Sequence, residues 1–423
     1  MGLTATPQAD RLWIGVFGRR NSGKSTLINA LAGSEIALVS PEPGTTTDPV
    51  TKSIELHGIG PAVLVDTAGF DDTGDLGLAR VARSRRALER IDLAILLLRP
   101  EEAELDFAPE LDWIRHFSEQ KADWLLVTNG TAADDRRIAQ LLQKAQSAEL
   151  PQPTVVLTVD AATGAGLDRL RAALVSSVAL RRERARQSSE PTSITAELCA
   201  AGDLVLLVMP QDIQAPAGRL ILPQVQTLRE LLDKSCRVVA VTAHEYPAVL
   251  DELRRAPDLI ITDSQVFPLV ERHAPAGSRL TSFSILMAAW RGDAAVFRRG
   301  ADRLATLTEH SRLLIAEACA HVPQSEDIGR VQLPRLLRRR FGEGLTIDFA
   351  SGADLPADLS AYDLIIHCGA CMFNRAHVLA RLGRFDEAGV PVTNYGMTLA
   401  WLGGILDRVD IPGLARTGEE HKR

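Results

Sequence analysis

Cysteine is scarce in this chain: five in 423 residues, an odd number that argues against a paired disulfide framework and for metal or reactive-thiol use in a reducing compartment. Aromatic residues make up only 4% of the sequence. No apolar run approaches the roughly 18 residues of a membrane-spanning helix. The opening MGLTATPQADRLWIGVFG lacks the basic region and long apolar core of a leader. A cytoplasmic protein with no membrane partner is therefore expected. Long blocks of Lys and Arg are also missing, and the net charge is −7, which argues against a nucleic-acid partner because phosphate neutralisation needs clustered cations. Heptads, low-complexity tracts and repeats are absent. What is present is ordinary for a globular chain, 46% hydrophobic and 24% charged, and its length suits three domains.

Short apolar runs alternate with helical patterns from LWIGVFG through AVLVDTAG, DLAILLLRP, DWLLVTNG and PTVVLTVDA, which predicts a parallel sheet with helices on both faces over residues 1–178. Residues 179–192 are rich in Arg and close in Ser, Glu and Pro, and read as a helix end entering a linker with a solvated charged face. A second strand and helix series fills 193–300, and a third fills 301–423. The expected class is α/β, a P-loop domain followed by two smaller α/β domains. Cys199 and Cys236, isolated in the middle series, read as small buried apolar residues.

GRRNSGKS, Gly18 to Ser25, fits G-x-x-x-x-G-K-S/T between a strand and a helix. Gly18, Asn21, Ser22 and Gly23 would bring backbone N–H groups to phosphate oxygens. Lys24 would pair with the terminal phosphates, Ser25 would ligate Mg2+, and Thr26 follows on the helix. In PGTTTDP, Thr46 could complete the Mg2+ shell. LVDTAGF ends a strand in Asp66, which reaches Mg2+ through water, and offers the Gly69 N–H to a terminal phosphate. Lys24, Thr46 and Gly69 are thus the candidate catalytic groups. This set resembles the translation-factor-related small GTPases. The resemblance implies GTP as ligand, a base site at Asn129 and at Ala161 in DAATG, and K+ held by Asn21 as in potassium-activated relatives. Two departures stand out. The N-K-x-D run is TNGTAAD here, with Gly130 for the lysine and Ala132 for the aspartate, leaving Asp134 as a displaced substitute. The residue after DTAG is Phe70, whose ring cannot orient a water, so slow turnover is expected.

The third series ends one strand in EACAH and another in HCGAC. Ligands of an open parallel sheet bind outside the strand carboxyl ends, so Cys319 and His321 could meet His367, Cys368 and Cys371 there. Thiolates suit an iron-sulfur cluster, a structural zinc with one histidine, or a C-x-x-C redox pair. From these residues alone, cluster and zinc stand about level. Together with APAGRLILPQVQTLRELL, TDSQVF, LTSFSILMA, EDIGRVQLPR and VPVTNYGM, the cysteine pattern resembles the HydF family of FeFe-hydrogenase maturation GTPases along nearly the whole chain. That resemblance implies a middle dimerisation domain, a homodimer, and a C-terminal domain binding a 4Fe-4S cluster. Cys319, Cys368 and Cys371 would be its ligands, with His321 or His367 as fourth. It also implies a di-iron precursor carried to apo FeFe-hydrogenase in concert with two radical-SAM maturases. Asp327 to Arg330 and Asn394 to Gly396 are candidates for shaping the crevice.

Overall fold

The computed structural model describes residues 6–33, 50–69, 74–99, 106–130, 135–187, 191, 193–210, 220–318, 327–352 and 354–415. Contacts divide the chain into two units, Met1–Arg184 and Ala185–Arg423.

The first unit holds strands β1 (Leu12–Gly18), β2 (Val50–Leu56), β3 (Gly60–Asp66), β4 (Leu93–Leu98), β5 (Asp123–Asn129) and β6 (Val156–Val159) in the order β2-β3-β1-β4-β5-β6. All neighbours are parallel except β2, which pairs antiparallel with β3 at the edge. Alternation along each strand builds two cores, as residues i and i+2 share a face. Ile14, Val16, Ile95 and Leu97 pack with Leu27 and Leu31 of helix Lys24–Gly33 and with Leu170 and Leu174 of helix Leu167–Gln187. Phe17, Leu96 and Leu98 pack on the other side with Trp113 and Phe117 of helix Ala108–Glu119 and Leu141 of helix Asp135–Ser147. The expected doubly covered sheet is what forms. Helix Leu167–Gln187 runs past the boundary set at 178, so the stretch from 179 to 187 is the expected helix end. Its arginines are not merely solvated, since Arg181 Nη2 meets Asp92 Oδ1 at 3.2 Å and Arg184 Nη2 meets Asp123 Oδ2 at 2.7 Å, tying the helix to the start of β5 and the turn before β4.

The second unit contains two four-stranded parallel sheets. One is β10-β9-β7-β8, with β7 (Leu204–Val208), β8 (Arg237–Val241), β9 (Leu259–Thr262) and β10 (Arg279–Ser282). The other is β12-β11-β13-β14, with β11 (Arg312–Glu317), β12 (Thr346–Ser351), β13 (Leu364–His367) and β14 (Val392–Asn394). One continuous core joins them, running from Leu206 and Ile260 to Leu314 and Ile366. Cys199 and Cys236 are buried in the smaller core on the far side of the first of these sheets, and burial with Cys199 alongside pushes the Cys236 thiol up to about 11.

Helix Ala294–Asp302 lies so close to β14 that a Cβ on Gly300 would sit 1.9 Å from the Val392 oxygen. Gly383, on the exposed face of helix Arg375–Glu387, would meet nothing within 4 Å. Gly300→Val should therefore lower stability by about 1–3 kcal/mol or more, while Gly383→Ala should raise it by up to about 1 kcal/mol. Thermal melts of the two variants check the contrast; equal melting temperatures would contradict the packing.

Candidate functional site

The loop after β1 is held from several sides. Lys24 is buried and its Nζ donates to the carbonyls of Gly18 at 3.0 Å and Arg19 at 2.7 Å, so the ammonium lies over the loop. Asn21 has φ 60 and Gly23 φ 95. Gly23 also admits no side chain, because a Cβ there would come within 2.1 Å of Asn129 Nδ2. Ser25 Oγ donates to Asp66 Oδ2 at 2.5 Å, which brings together two of the three residues expected around Mg2+. Gly69 abuts the loop: a Cβ there would lie 2.7 Å from the Arg20 nitrogen. Ser22 is buried, and Thr26 is exposed on the following helix. Thr46, Phe70, Ala132 and Asp134 lie outside the described residues.

Asn129 works as a clasp. Its Nδ2 donates to the Ser22 carbonyl at 2.9 Å and its Oδ1 accepts the Ala161 N–H at 3.0 Å, joining the phosphate loop to the loop after β6. That second loop is shaped by Asp160, whose Oδ1 accepts the Ala162 and Thr163 N–H groups at 3.0 and 3.2 Å. Bonds from Thr163 hold the Asp160 carboxyl below its ordinary range. Sequence reasoning missed the pair that anchors the loop from the opposite side: Arg19 Nε and Nη2 donate to the two Glu110 oxygens at 2.7 and 3.0 Å, and Glu110 is fully buried. A signal for it exists. Glu110 falls on the same helical face as Trp113, Ile114 and Phe117, where a lone carboxylate needs a partner.

In the second unit the polar groups gather at the carboxyl ends of β11 to β14. Cys368 Sγ, just past β13, accepts the N–H of Ala318 at 3.1 Å and of Ala370 at 3.4 Å. Ala370 takes φ 53, which turns its amide back toward the sulfur. Two amides aimed at one sulfur stabilise the thiolate, the form that ligates metals, so this donor set fits a thiolate-bound cluster. Cys371 is half-buried three residues on. Behind them Glu317 accepts from Arg330 Nε and Nη2 at 3.0 and 2.8 Å and from Ser351 Oγ at 3.2 Å. The Tyr395 hydroxyl lies 3.4 Å from Glu317 Oε1. Burial, then the charges of Cys368, Glu317 and Asp327, raise the Tyr395 pKa well above normal. Asp327 caps the Ile328–Gln332 turn, accepting from Arg330 N at 2.7 Å. Asn394 caps helix Tyr395–Leu402 and donates to the Ser284 carbonyl at 3.0 Å. The segment LTSFSILMA supports the thiol loop from below, Gly369 facing Ser284 and Met287.

Cys319 and His321 lie outside the described residues, and among the described ones no three His, Cys, Asp or Glu side chains group to hold a metal ion. The imidazole of His367, one of the two expected candidates for the fourth place, is fully buried with Phe297 and Phe385 each 6.4 Å from it; Nδ1 meets the Cys368 carbonyl at 2.8 Å, and Nε2 has no partner among the described residues. Burial, aided by the Arg381 charge, pushes its pKa down to about 3.

Three family models match this chain: a hydrogen maturase F dimerization domain over 194–292, a hydrogen maturase F tetramerization domain over 295–411, and a 50S ribosome-binding GTPase over 13–130. The chain belongs to the hydrogen maturase F family. It is accordingly a GTP- and Mg2+-binding GTPase involved in hydrogenase maturation, and it carries both modules through which the family oligomerises. Curated relatives match a minority of the chain. The tRNA modification GTPase MnmE of Nitrosospira multiformis is 32% identical over 170 residues, 40% of this chain and 35% of the relative; GTPase Der of Chloroflexus aurantiacus is 45% identical over 100 residues, 22% of each. A match to MnmE of Methylobacterium sp. covers 20% of either chain, so only a fifth to about a third of these relatives' length is spanned. A single-residue variant of Aquifex aeolicus Era bound to GDP.AlF4- aligns with 63% of this chain and 98% of its own at 17% identity and a TM-score of 0.32, too slight a likeness to build on. Among the described residues no helix is long and apolar enough to cross a membrane.

Asn129→Ala removes both bonds of the clasp. It should lower the melting transition of the first unit by several degrees, in keeping with about 1–3 kcal/mol. Asn129→Asp, which keeps only the acceptor toward Ala161, should lose part of that; differential scanning calorimetry separates the three proteins, and coincident transitions would contradict the clasp.

Proposed function

We propose that this chain is a GTP-controlled scaffold that binds a 4Fe-4S cluster through Cys319, Cys368 and Cys371 and carries a di-iron precursor to apo FeFe-hydrogenase, receiving it in concert with two radical-SAM maturases. The division of labour follows residues 1–178 for nucleotide, 193–300 for dimerisation and 301–423 for the cluster. What supports the cluster reading most is the Ala318 N–H bonded to Cys368 Sγ at the ends of neighbouring strands, since Cys319 follows Ala318 in the sequence. When bound, a cluster held by three thiolates supplies one iron with an open or exchangeable place. The chain's own groups do the rest. The Ala318 and Ala370 amides would stabilise a Cys368 thiolate ligand, and Glu317, Arg330 and Ser351 brace the end of β11. With His367 in the core, His321 is the imidazole candidate for the fourth place.

In the first unit, Ser25 and Thr46 would hold Mg2+ directly and Asp66 through water. Lys24 would neutralise terminal phosphates, and the Gly69 N–H would face the transferring phosphoryl group. Asn21 would hold K+ against the phosphates, where its charge acts as an arginine finger does. Nucleotide state would then bias association with partner proteins, a coupling that requires different affinities in the GTP and GDP forms.

Two measurements test these readings. After anaerobic reconstitution, the chain should contain about four irons and four sulfides, and Cys319→Ser or Cys368→Ser should lose at least about half of both. Zinc without sulfide would instead make the site structural, and a reversible dithiol couple without iron would make it redox. Replacing K+ by Na+ should slow GTP hydrolysis by roughly tenfold or more, a difference that Asn21→Ala should erase; equal rates in both salts would remove K+ from the mechanism.

A further inference from the structure

The base end of the nucleotide site lacks a cation where the N-K-x-D pattern would place one. Gly130 has no side chain, and its N–H is taken by the Val159 carbonyl at 2.8 Å. On the adjacent strand, Leu98 is in register with Thr128, so Arg99 leaves the end of β4 beside Asn129 at the end of β5. The two side chains then grip consecutive carbonyls of the phosphate loop: Asn129 Nδ2 donates to Ser22 at 2.9 Å and Arg99 Nη1 to Asn21 at 3.3 Å. The backbone that carries Arg99 is itself fixed. Arg137 is buried, and its Nη1 donates to the Arg99 carbonyl at 3.0 Å while its guanidinium lies 5.8 Å from the Phe107 ring centroid.

We propose that Arg99 replaces, from the end of β4, the cation missing at Gly130: it fixes the phosphate loop through the Asn21 carbonyl and stacks on the purine of a bound guanine nucleotide. A guanidinium suits both tasks, since its edge donates while its planar face packs on an aromatic ring. Arg99 is thus a positioning and selectivity residue of the nucleotide site, an inference that rests on the GTP-site reading above.

The test is a fluorescence titration of the full chain with mant-GDP, using wild type, Arg99→Ala, the double variant Arg99→Ala/Gly130→Lys, and Lys24→Ala as site control. Arg99 is exposed, so its replacement should leave the thermal melt unchanged. Arg99→Ala should weaken mant-GDP binding about tenfold, and adding Gly130→Lys should restore most of that loss. Unchanged affinity in Arg99→Ala, or a loss that Gly130→Lys does not repair, overturns the proposal while leaving the site intact. Wild-type protein that fails to bind mant-GDP, or that binds it as tightly after Lys24→Ala, overturns the GTP-site reading itself.

Discussion

A backbone amide pointing at a sulfur is the contact on which the proposed cluster site depends. Ala318 follows β11 and Cys368 follows β13, and the 3.1 Å bond between them links two adjacent parallel strands at their carboxyl ends. Parallel pairing makes this meeting obligatory, because it puts the ends of distant sequence segments side by side. Two N–H groups, from Ala318 and Ala370, donate to the Cys368 sulfur, and donors of this kind stabilise a thiolate. Glu317 stands next to Ala318 yet spends its charge on Arg330, so its carboxylate is compensated rather than opposed to the sulfur.

The first unit uses the same geometry for a different ligand. Its phosphate loop follows the central strand β1, and the neighbouring strand ends supply the groups that hold it: Asp66 from β3, Arg99 after β4, and Asn129 from β5, itself held by the Ala161 N–H after β6. Glu110, fully buried, completes the enclosure through Arg19. A loop with Asn21 and Gly23 at positive φ is conformationally costly, so fastening it before nucleotide arrives reduces what binding must order.

Much of this was legible in the sequence, for identifiable reasons. The apolar runs that became β1, β3, β4 and β5 are buried on both faces, and continuous hydrophobicity of that length between turn residues has few other solutions. Strand β2 stood out less because VTKSIEL is an exposed edge with alternating polarity. The Arg-rich stretch after 178 read as solvated, since the acids that pin it, Asp92 and Asp123, come from far back in the chain. The burial of His367 was hidden because motif spacing says nothing of side-chain direction. Strand periodicity carried the missing information: His367 shares the face of Ile365, inside the core, whereas Cys368 is the first residue beyond the strand. Arg99 and Glu110 could not be paired with their partners from sequence, as register between strands and helices is settled only by packing.

The central claim is that three sulfurs from two strand ends enclose one iron cluster. Crystals grown anaerobically from reconstituted protein, with data collected at the iron absorption edge, test it directly. The account predicts anomalous density bonded to Cys319, Cys368 and Cys371 together, at the carboxyl ends of β11 and β13. Iron density elsewhere, or bonded to the Cys368 and Cys371 pair with Cys319 turned away, would contradict it.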